Sequence, residues 1–96
     1  MRESDDVTRV LDDMLATWVG AIYRDITADS GRQGSIKAKA KRADHGLVIE
    51  VTVDGALYGL LLGSGGRTVR SVRTLATQRA RALGISTKVD VFLVAT

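Results

Sequence analysis

The chain has 96 residues, 45% of them hydrophobic and 26% charged, which is the composition of one small globular domain. It contains no cysteine and one histidine, and the absence of cysteine excludes thiol catalysis, disulfide bonds and zinc–thiolate sites. It also has no apolar run that could span a membrane, and both features are compatible with a cytoplasmic location. The net charge of +3 is uneven, because residues 1–30 carry three basic and seven acidic residues whereas residues 31–96 carry eleven basic and four acidic ones. The excess of basic residues in 31–96 fits either a polyanionic partner or an ordinary solvated surface.

The first predicted element is an amphipathic helix over residues 5–24. Its apolar residues recur at spacings of three and four, which places them on one face that we expect to pack, Trp18 included, on the core. Ser4, Asp5 and Asp6 are expected to cap the first turn, and the polar segment 27–34 is expected to be a loop. The apolar face consists of Val7, Val10, Leu11, Met14, Leu15, Trp18, Val19 and Ile22.

Two segments in which apolar and polar residues alternate predict an antiparallel β-hairpin over residues 35–53. The first strand, 35–42, alternates inward apolar residues with outward lysines, and the second, 47–53, has four inward aliphatic residues. Glu50, on the outer face, is expected to pair with one of the lysines. The inward residues are Ile36, Ala38, Ala40, Leu47, Ile49, Val51 and Val53, and the outward lysines are Lys37, Lys39 and Lys41.

A helix–glycine loop–helix segment over residues 55–83 follows the hairpin. Asp54 is expected to cap the first helix, which ends at the glycine cluster 63–66, and Gly84 is expected to cap the end of the second. The second helix, 67–83, carries an apolar stripe on one side, with arginines opposite and at the flanks. The stripe consists of Val69, Val72, Leu75, Ala76, Ala80 and Leu83.

The final predicted element is a strand over residues 87–94, with Val89, Val91 and Leu93 inward and Phe92 outward. The order of elements is α-β-β-α-α-β in a single domain that spans the chain. Because each strand has one apolar face, the helices must cover that face of the sheet. The sequence therefore predicts an α+β fold, a two-layer sandwich of a three-stranded sheet with helices on one face.

The glycine cluster at 63–66, with the sequence GSGG, directly precedes the second helix of this pair. The first N–H groups of a helix lack intrahelical acceptors, and the helix dipole adds about half a positive charge there. Glycines let a phosphate approach the backbone, and Arg67 and Arg70 stand one turn apart where they can reach it. The spacing departs from Walker A and dinucleotide-binding loops. It indicates a site for phosphodiester groups rather than for base edges.

The segment LLGSGGRTV, between two helices, resembles the signature of the KH-domain family, in which an apolar residue precedes Gly-x-x-Gly and an aliphatic residue follows it. The element order matches the prokaryotic type II arrangement, and GGRTVRSVRTLATQRA is similar to the same helix of the small bacterial single-KH RNA-binding proteins. The resemblance implies a non-catalytic protein, such as a bacterial or phage RNA chaperone, that binds single-stranded RNA without a cofactor or metal. About four nucleotides would cross the loop.

The resemblance also implies roles for individual residues. Arg67 and Arg70 would face phosphates, and Gly59, one turn before the loop, would leave space for a base. The last strand near Val89 and Val91 would form the other wall of the groove. The implied nucleic-acid-binding residues are Gly59, Gly63, Ser64, Gly65, Gly66, Arg67 and Arg70.

Four features of the sequence leave alternatives open. The variable loop positions are Ser64 and Gly65 rather than basic residues, and the groove region has little aromatic content beyond Tyr58, so we expect weak binding with little base preference. The acidic N-terminal helix would also suit a KH-like scaffold that binds a protein partner or forms a homodimer. Because the sequence holds no dedicated reader of a 2′-hydroxyl, single-stranded DNA is a further alternative ligand.

Several other polar residues have an ordinary structural interpretation beside a functional one. His45 is better explained as a turn residue than as a general base, since no nucleophile accompanies it. Asp12 and Asp13 are better explained as a solvated face than as a metal pair, because neighbouring helical residues point about 100° apart. The three outward lysines form either a solvated face or a second RNA surface, and Arg79 and Arg81 contact either solvent or phosphate.

Overall fold

The computed structural model describes residues 3–96, and their side chains from residue 6 onward. Three helices and three strands follow one another in the predicted order, and a 3₁₀ turn over Ser64–Gly66 joins the last two helices. No helix in this part of the chain has the length and apolar composition that spanning a bilayer requires. The elements are α1 (Glu3–Asp29), β1 (Ile36–Ala43), β2 (Gly46–Val53), α2 (Gly55–Leu62), α3 (Arg67–Leu83) and β3 (Val89–Ala95).

The three strands form one mixed sheet in the order β1-β2-β3. β1 and β2 pair antiparallel, with Ile36 opposite Val53, whereas β2 and β3 pair parallel, with Leu47 opposite Val89. A parallel pair needs a crossover connection, which α2 and α3 provide. Because α1 packs on β1, α3 packs on β3 and the two helices contact each other, they share one face of the sheet. This arrangement confirms the predicted α+β sandwich.

The alternation predicted for the hairpin is present in the sheet. The inward side chains of β2 are buried, and those of Ala38 and Ala40 on β1 are half-buried. The outward lysines are exposed, and Lys41 Nζ lies 3.1 Å from Glu50 Oε2, which confirms a cross-strand pair. The strand ends differ slightly from the predicted 35–42 and 87–94, since β1 starts one residue later and β3 two residues later.

The first helix is longer than the predicted 5–24, because α1 continues through residues that were expected to lie in a loop. Thr27 is buried, and its Oγ1 donates to the carbonyl of Tyr23 at 2.8 Å, so the inward face of the helix extends to its last turn. At the other end α1 already includes Glu3, which places residues 4–6 in its first turn. The capping side chains expected at positions 4 and 5 lie outside the described residues.

The apolar face of α1 is only partly covered by the rest of the protein. Val7, Val10 and Met14 are 53%, 57% and 47% exposed, so their predicted place in the core is wrong. The reason is the direction of these side chains: at 100° per residue they point about 140–160° away from the middle of the face that α1 buries against the rest of the protein. Trp18 is half-buried, with the Arg79 guanidinium 5.7 Å from its ring centroid. The buried apolar residues of α1 are Leu15, Ala16, Val19 and Tyr23.

An ion pair between α1 and β1 occupies the position where a solvated aspartate was expected. Asp12 is 6% exposed, and its two carboxylate oxygens accept hydrogen bonds from Arg42 Nε and Nη2, each at 2.8 Å. Asp13 is exposed, as expected. Bidentate arginine–carboxylate contacts are among the stronger hydrogen bonds in proteins, so this pair fixes α1 against the edge of the sheet.

The second and third helices have the predicted bounds, although two side chains behave differently. Leu75 is 45% exposed, because at 100° per residue it lies about 100° from the middle of the buried stripe. Asp54 precedes α2 but does not cap it; its Oδ2 accepts the Ser35 N–H at 2.8 Å instead. Gly84, with φ 88°, ends α3 as predicted. The buried residues of α3 are Val69, Val72, Ala76 and Ala80.

Tyr23 brings a polar atom into the core. Its side chain is fully buried, and its hydroxyl has no hydrogen-bond partner among the described residues. Burial raises the pKa of Tyr23 from 10.0 to about 12, against the opposing charge of Arg73. The neutral phenol is therefore the form that the folded protein holds.

Removal of the Asp12–Arg42 pair, whose carboxylate is buried, should cost more stability than removal of the exposed Lys41–Glu50 pair. We expect Arg42→Ala to lower the free energy of unfolding by about 2 kcal/mol, because it leaves the Asp12 carboxylate buried and unpaired. The matched variant Lys41→Ala should cost less than about 1 kcal/mol, since the Lys41–Glu50 pair is solvent-accessible. Urea unfolding of both variants measures the difference, and equal losses would contradict this view of Asp12.

Tyr23→Phe should be neutral or stabilising by up to about 1 kcal/mol, because it removes a buried hydroxyl that has no partner. The folded pKa of about 12 exceeds the ordinary value of 10.0, so this group adds no pH dependence below pH 10 and lowers stability as the pH rises from 10 towards 12. Thermal midpoints of the wild type and Tyr23→Phe at about pH 8 and about pH 11 test this. The variant should lose less stability, and an identical loss would contradict burial of the phenol.

Candidate nucleic-acid interface

The glycine loop, residues 63–66, reverses the chain between α2 and α3. Three of its four residues have positive φ, namely 77° at Gly63, 60° at Gly65 and 76° at Gly66. Residues with a Cβ rarely adopt such angles, so the glycines make this turn possible. Ser64 is exposed and carries the one side chain of the loop.

The loop lies tightly against the first turn of α3 on one side and is open on the other. A Cβ at Gly63 would lie 2.3 Å from Thr68 Oγ1 and 2.8 Å from the Thr68 amide nitrogen. A Cβ at Gly65 would meet no atom within 4 Å. The outer surface of the loop is therefore accessible to a ligand, whereas its inner surface is packed.

The sequence predicted free backbone N–H groups in the first turn of α3. In the structure they lie two to three residues before Arg67, in the 3₁₀ turn. The N–H of Gly63 donates to Gly59 O, that of Gly66 to Gly63 O at 3.1 Å, and that of Arg67 to Ser64 O, because the 3₁₀ turn precedes α3. Within residues 3–96 the N–H groups of Ser64 and Gly65 have no acceptor. Two neighbouring amides at the positive end of α3 are thus available to an anion.

The two predicted arginines flank this pair of amides. Arg67 is exposed, and no acidic residue in the described part of the chain pairs with it. Arg70 is also exposed, and its Nη1 donates to the Gly65 carbonyl at 2.7 Å. This hydrogen bond holds the guanidinium across the loop, so Arg70 braces the turn and adds positive charge beside it.

The surface of α2 near the loop is open at Gly59. Gly59 is exposed, and a Cβ there would meet no atom within 4 Å. Tyr58 is half-buried and packs against the core. A planar group could therefore approach α2 at Gly59, but Tyr58 does not stand out from the surface as a stacking platform.

The last strand, which was predicted to form the second wall of the groove, holds its valines inward as its alternation predicted. Val89 and Val91 are 4% and 0% exposed, because both face the core. The accessible edge of β3 is instead contacted by Arg73, whose Nη2 donates to Val91 O at 3.2 Å and which forms an ion pair with Asp90. The sequence predicted only that Arg73 flanks the apolar stripe of α3. Its partner Asp90 lies on β3, so the pattern of the helix alone cannot reveal the pair.

The remaining candidates lie away from the glycine loop. The three outward lysines occupy the sheet face opposite the helices, and His45 is exposed in the hairpin turn. Arg79 lies over the Trp18 ring on the α1 side. Arg81 lines a separate concavity near the end of α3. The structure therefore groups Gly59, the loop, Arg67 and Arg70, and separates the other residues from them.

Comparison with known proteins supports the fold. A solved structure of a variant of Era from Aquifex aeolicus, bound to GDP·AlF4⁻, is similar with a TM-score of 0.53 and 18% sequence identity. The match covers 85% of this chain and 32% of the Era chain, so this chain spans about a third of that protein. No protein-family model and no curated protein matches the sequence. The element order and mixed sheet are compatible with a KH-like fold.

Alanine substitutions at three glycines should change stability in different directions. Gly63→Ala is expected to cost more than about 2 kcal/mol, because a positive φ coincides with a collision at Thr68. Gly65→Ala should cost about 1 kcal/mol, since only the angle is unfavourable. Gly59→Ala should stabilise α2 by up to about 1 kcal/mol. Urea unfolding compares the three, and a Gly63→Ala variant as stable as the wild type would contradict the loop geometry.

Proposed function

We propose that this protein binds single-stranded RNA without catalysing a reaction, and that the glycine loop holds the sugar–phosphate backbone. The observation that carries the proposal is the pair of unpaired amides at Ser64 and Gly65, exposed at the positive end of α3. Arg67 and Arg70 add two cationic side chains to the same surface. Backbone donors, a helix dipole and arginines together favour a phosphate.

Such a site recognises the ligand backbone more than the base sequence. Amide and guanidinium donors contact phosphate oxygens, which are the same in every nucleotide. Stacking on an aromatic side chain contributes about 1–3 kcal/mol per base where one is available, but Tyr58 is packed against the core. We therefore expect micromolar or weaker binding that depends on salt and little on sequence.

Two likenesses support RNA as the ligand. The segment around the loop resembles the KH-domain signature, and the fold is compatible with a KH-like fold. The space over Gly59 suits a base whose phosphates lie on the loop. RNA is favoured over single-stranded DNA by the family resemblance alone, so both ligands belong in the test.

Paired loop variants provide the test. Ser64→Asp/Gly65→Asp places two carboxylates beside the free amides, and Ser64→Asn/Gly65→Asn has nearly the same shape without the charge. Asn and Asp both tolerate the positive φ at Gly65, so the two variants should have similar thermal midpoints. In an amide-shift titration with a short mixed-sequence RNA, the Asp variant should bind at least about tenfold more weakly, and the Asn variant within about threefold of the wild type.

The outcomes separate the proposal from its alternatives. Undiminished RNA binding by the folded Asp variant would contradict the role of the loop, and equal binding of a DNA of the same sequence would contradict RNA preference. Absence of any nucleic-acid binding, with a dimer or a protein complex in light scattering, would favour the scaffold alternative. The exposed Val7, Val10 and Met14 of α1 are the surface that such an outcome would implicate.

A further inference from the structure

We infer that the same RNA strand also contacts a second cationic surface, the α3 concavity, at the opposite end of α3 from the glycine loop. This concavity lies between the second half of α3, the segment 85–88 and the start of β3, and has a volume of about 460 Å³. Its polar lining includes Arg73, Thr77, Arg81, Ser86, Thr87 and Lys88. The inference rests on the proposed function and extends the length of strand that the protein holds.

Two positive charges in the α3 concavity are not neutralised. Arg81 and Lys88 are exposed, and neither forms an ion pair with an acidic residue of the described chain. Arg73 contributes less, because Asp90 is its partner. The end of α3 carries about half a negative charge, but Gly84 and Ile85 donate to carbonyls of its last turn. Two full charges therefore outweigh the helix dipole.

Hydroxyl groups complete the lining. Ser86 is exposed and Thr87 half-buried, and no hydrogen bond engages either hydroxyl within residues 6–96. Thr77 Oγ1 already donates to Arg73 O at 3.0 Å. Serine and threonine hydroxyls donate readily to phosphate oxygens. A concavity with two free cations and two free hydroxyls suits a phosphodiester better than an apolar ligand.

A polar stripe along α3 connects the glycine loop to the α3 concavity. Its members are spaced by three, four, three and four residues, so they lie on one face of the helix. The helix contains no acidic residue, and the stripe covers about 21 Å along its axis. A strand bound at the loop can therefore follow α3 without meeting an acidic side chain of that helix. The stripe consists of Arg67, Arg70, Thr74, Thr77 and Arg81.

Binding should therefore depend on RNA length and on the far end of α3. An oligonucleotide of about four residues occupies the glycine loop alone, whereas one of about twelve also reaches the α3 concavity. Arg81→Gln/Lys88→Gln removes two charges and keeps helix propensity and aliphatic stems. Lys37→Gln/Lys39→Gln removes the same charge from the opposite sheet face and is the matched control.

We expect the wild type to bind the longer RNA about tenfold more tightly per binding site than the shorter one. Arg81→Gln/Lys88→Gln should lose that gain, with its salt slope reduced by about 1.4, while its binding of the shorter RNA stays within about twofold. Equal effects of the control variant, or no length dependence with intact binding of the shorter RNA, would overturn this inference and leave the proposed function standing. Failure of the wild type to bind either RNA would overturn both.

Discussion

The chain must reverse between α2 and α3 within four residues while α3 stays packed against Gly63, and the candidate interface follows from this requirement. Both helices are anchored below the turn by buried side chains, so the turn cannot relax by moving them. Positive φ angles at three glycines satisfy the geometry at a cost in chain entropy. The same geometry leaves the amides of Ser64 and Gly65 without an acceptor, so a structural constraint and the proposed anion-binding surface share one set of atoms.

A surface built from amides is insensitive to the identity of most side chains around it. Its donors are held by the backbone of α2, the 3₁₀ turn and α3, which all pack on the sheet. Side chains act mainly as modifiers, with Arg70 bracing the turn at Gly65 and Arg67 adding charge. Acidic α1 forms no part of the glycine loop and is fixed to β1 by the Asp12–Arg42 pair. Acidic residues are thus concentrated on α1, whereas α3, the element proposed to meet phosphate, contains none.

Hydrophobic periodicity predicted most accurately those elements whose own pattern of apolar residues shows which of their faces other elements cover. β2 is flanked on both sides and alternates strictly, and α3 has a narrow apolar stripe between arginines, so both agree closely with the sequence. The apolar residues of α1 cover a broad arc of the helix, and the pattern alone does not show which part of that arc faces the sheet, so the exposure of Val7, Val10 and Met14 was not predicted. At the loop, the sequence indicated a helix start with free amides. The sequence could not show that a 3₁₀ turn engages the Arg67 amide in a hydrogen bond and leaves the amides of Ser64 and Gly65 without an acceptor. Nor could it show that the Arg73 side chain contacts β3.

The two outer strands also bear on how copies of this protein behave at high concentration. β1 and β3 both end the sheet, and an unpaired strand edge is a template on which another chain can add. Lysines at every second residue of β1 give that margin mutual repulsion, and the Arg73 guanidinium already engages the carbonyl of Val91 on the other margin. Both margins are therefore poor templates for edge-to-edge aggregation.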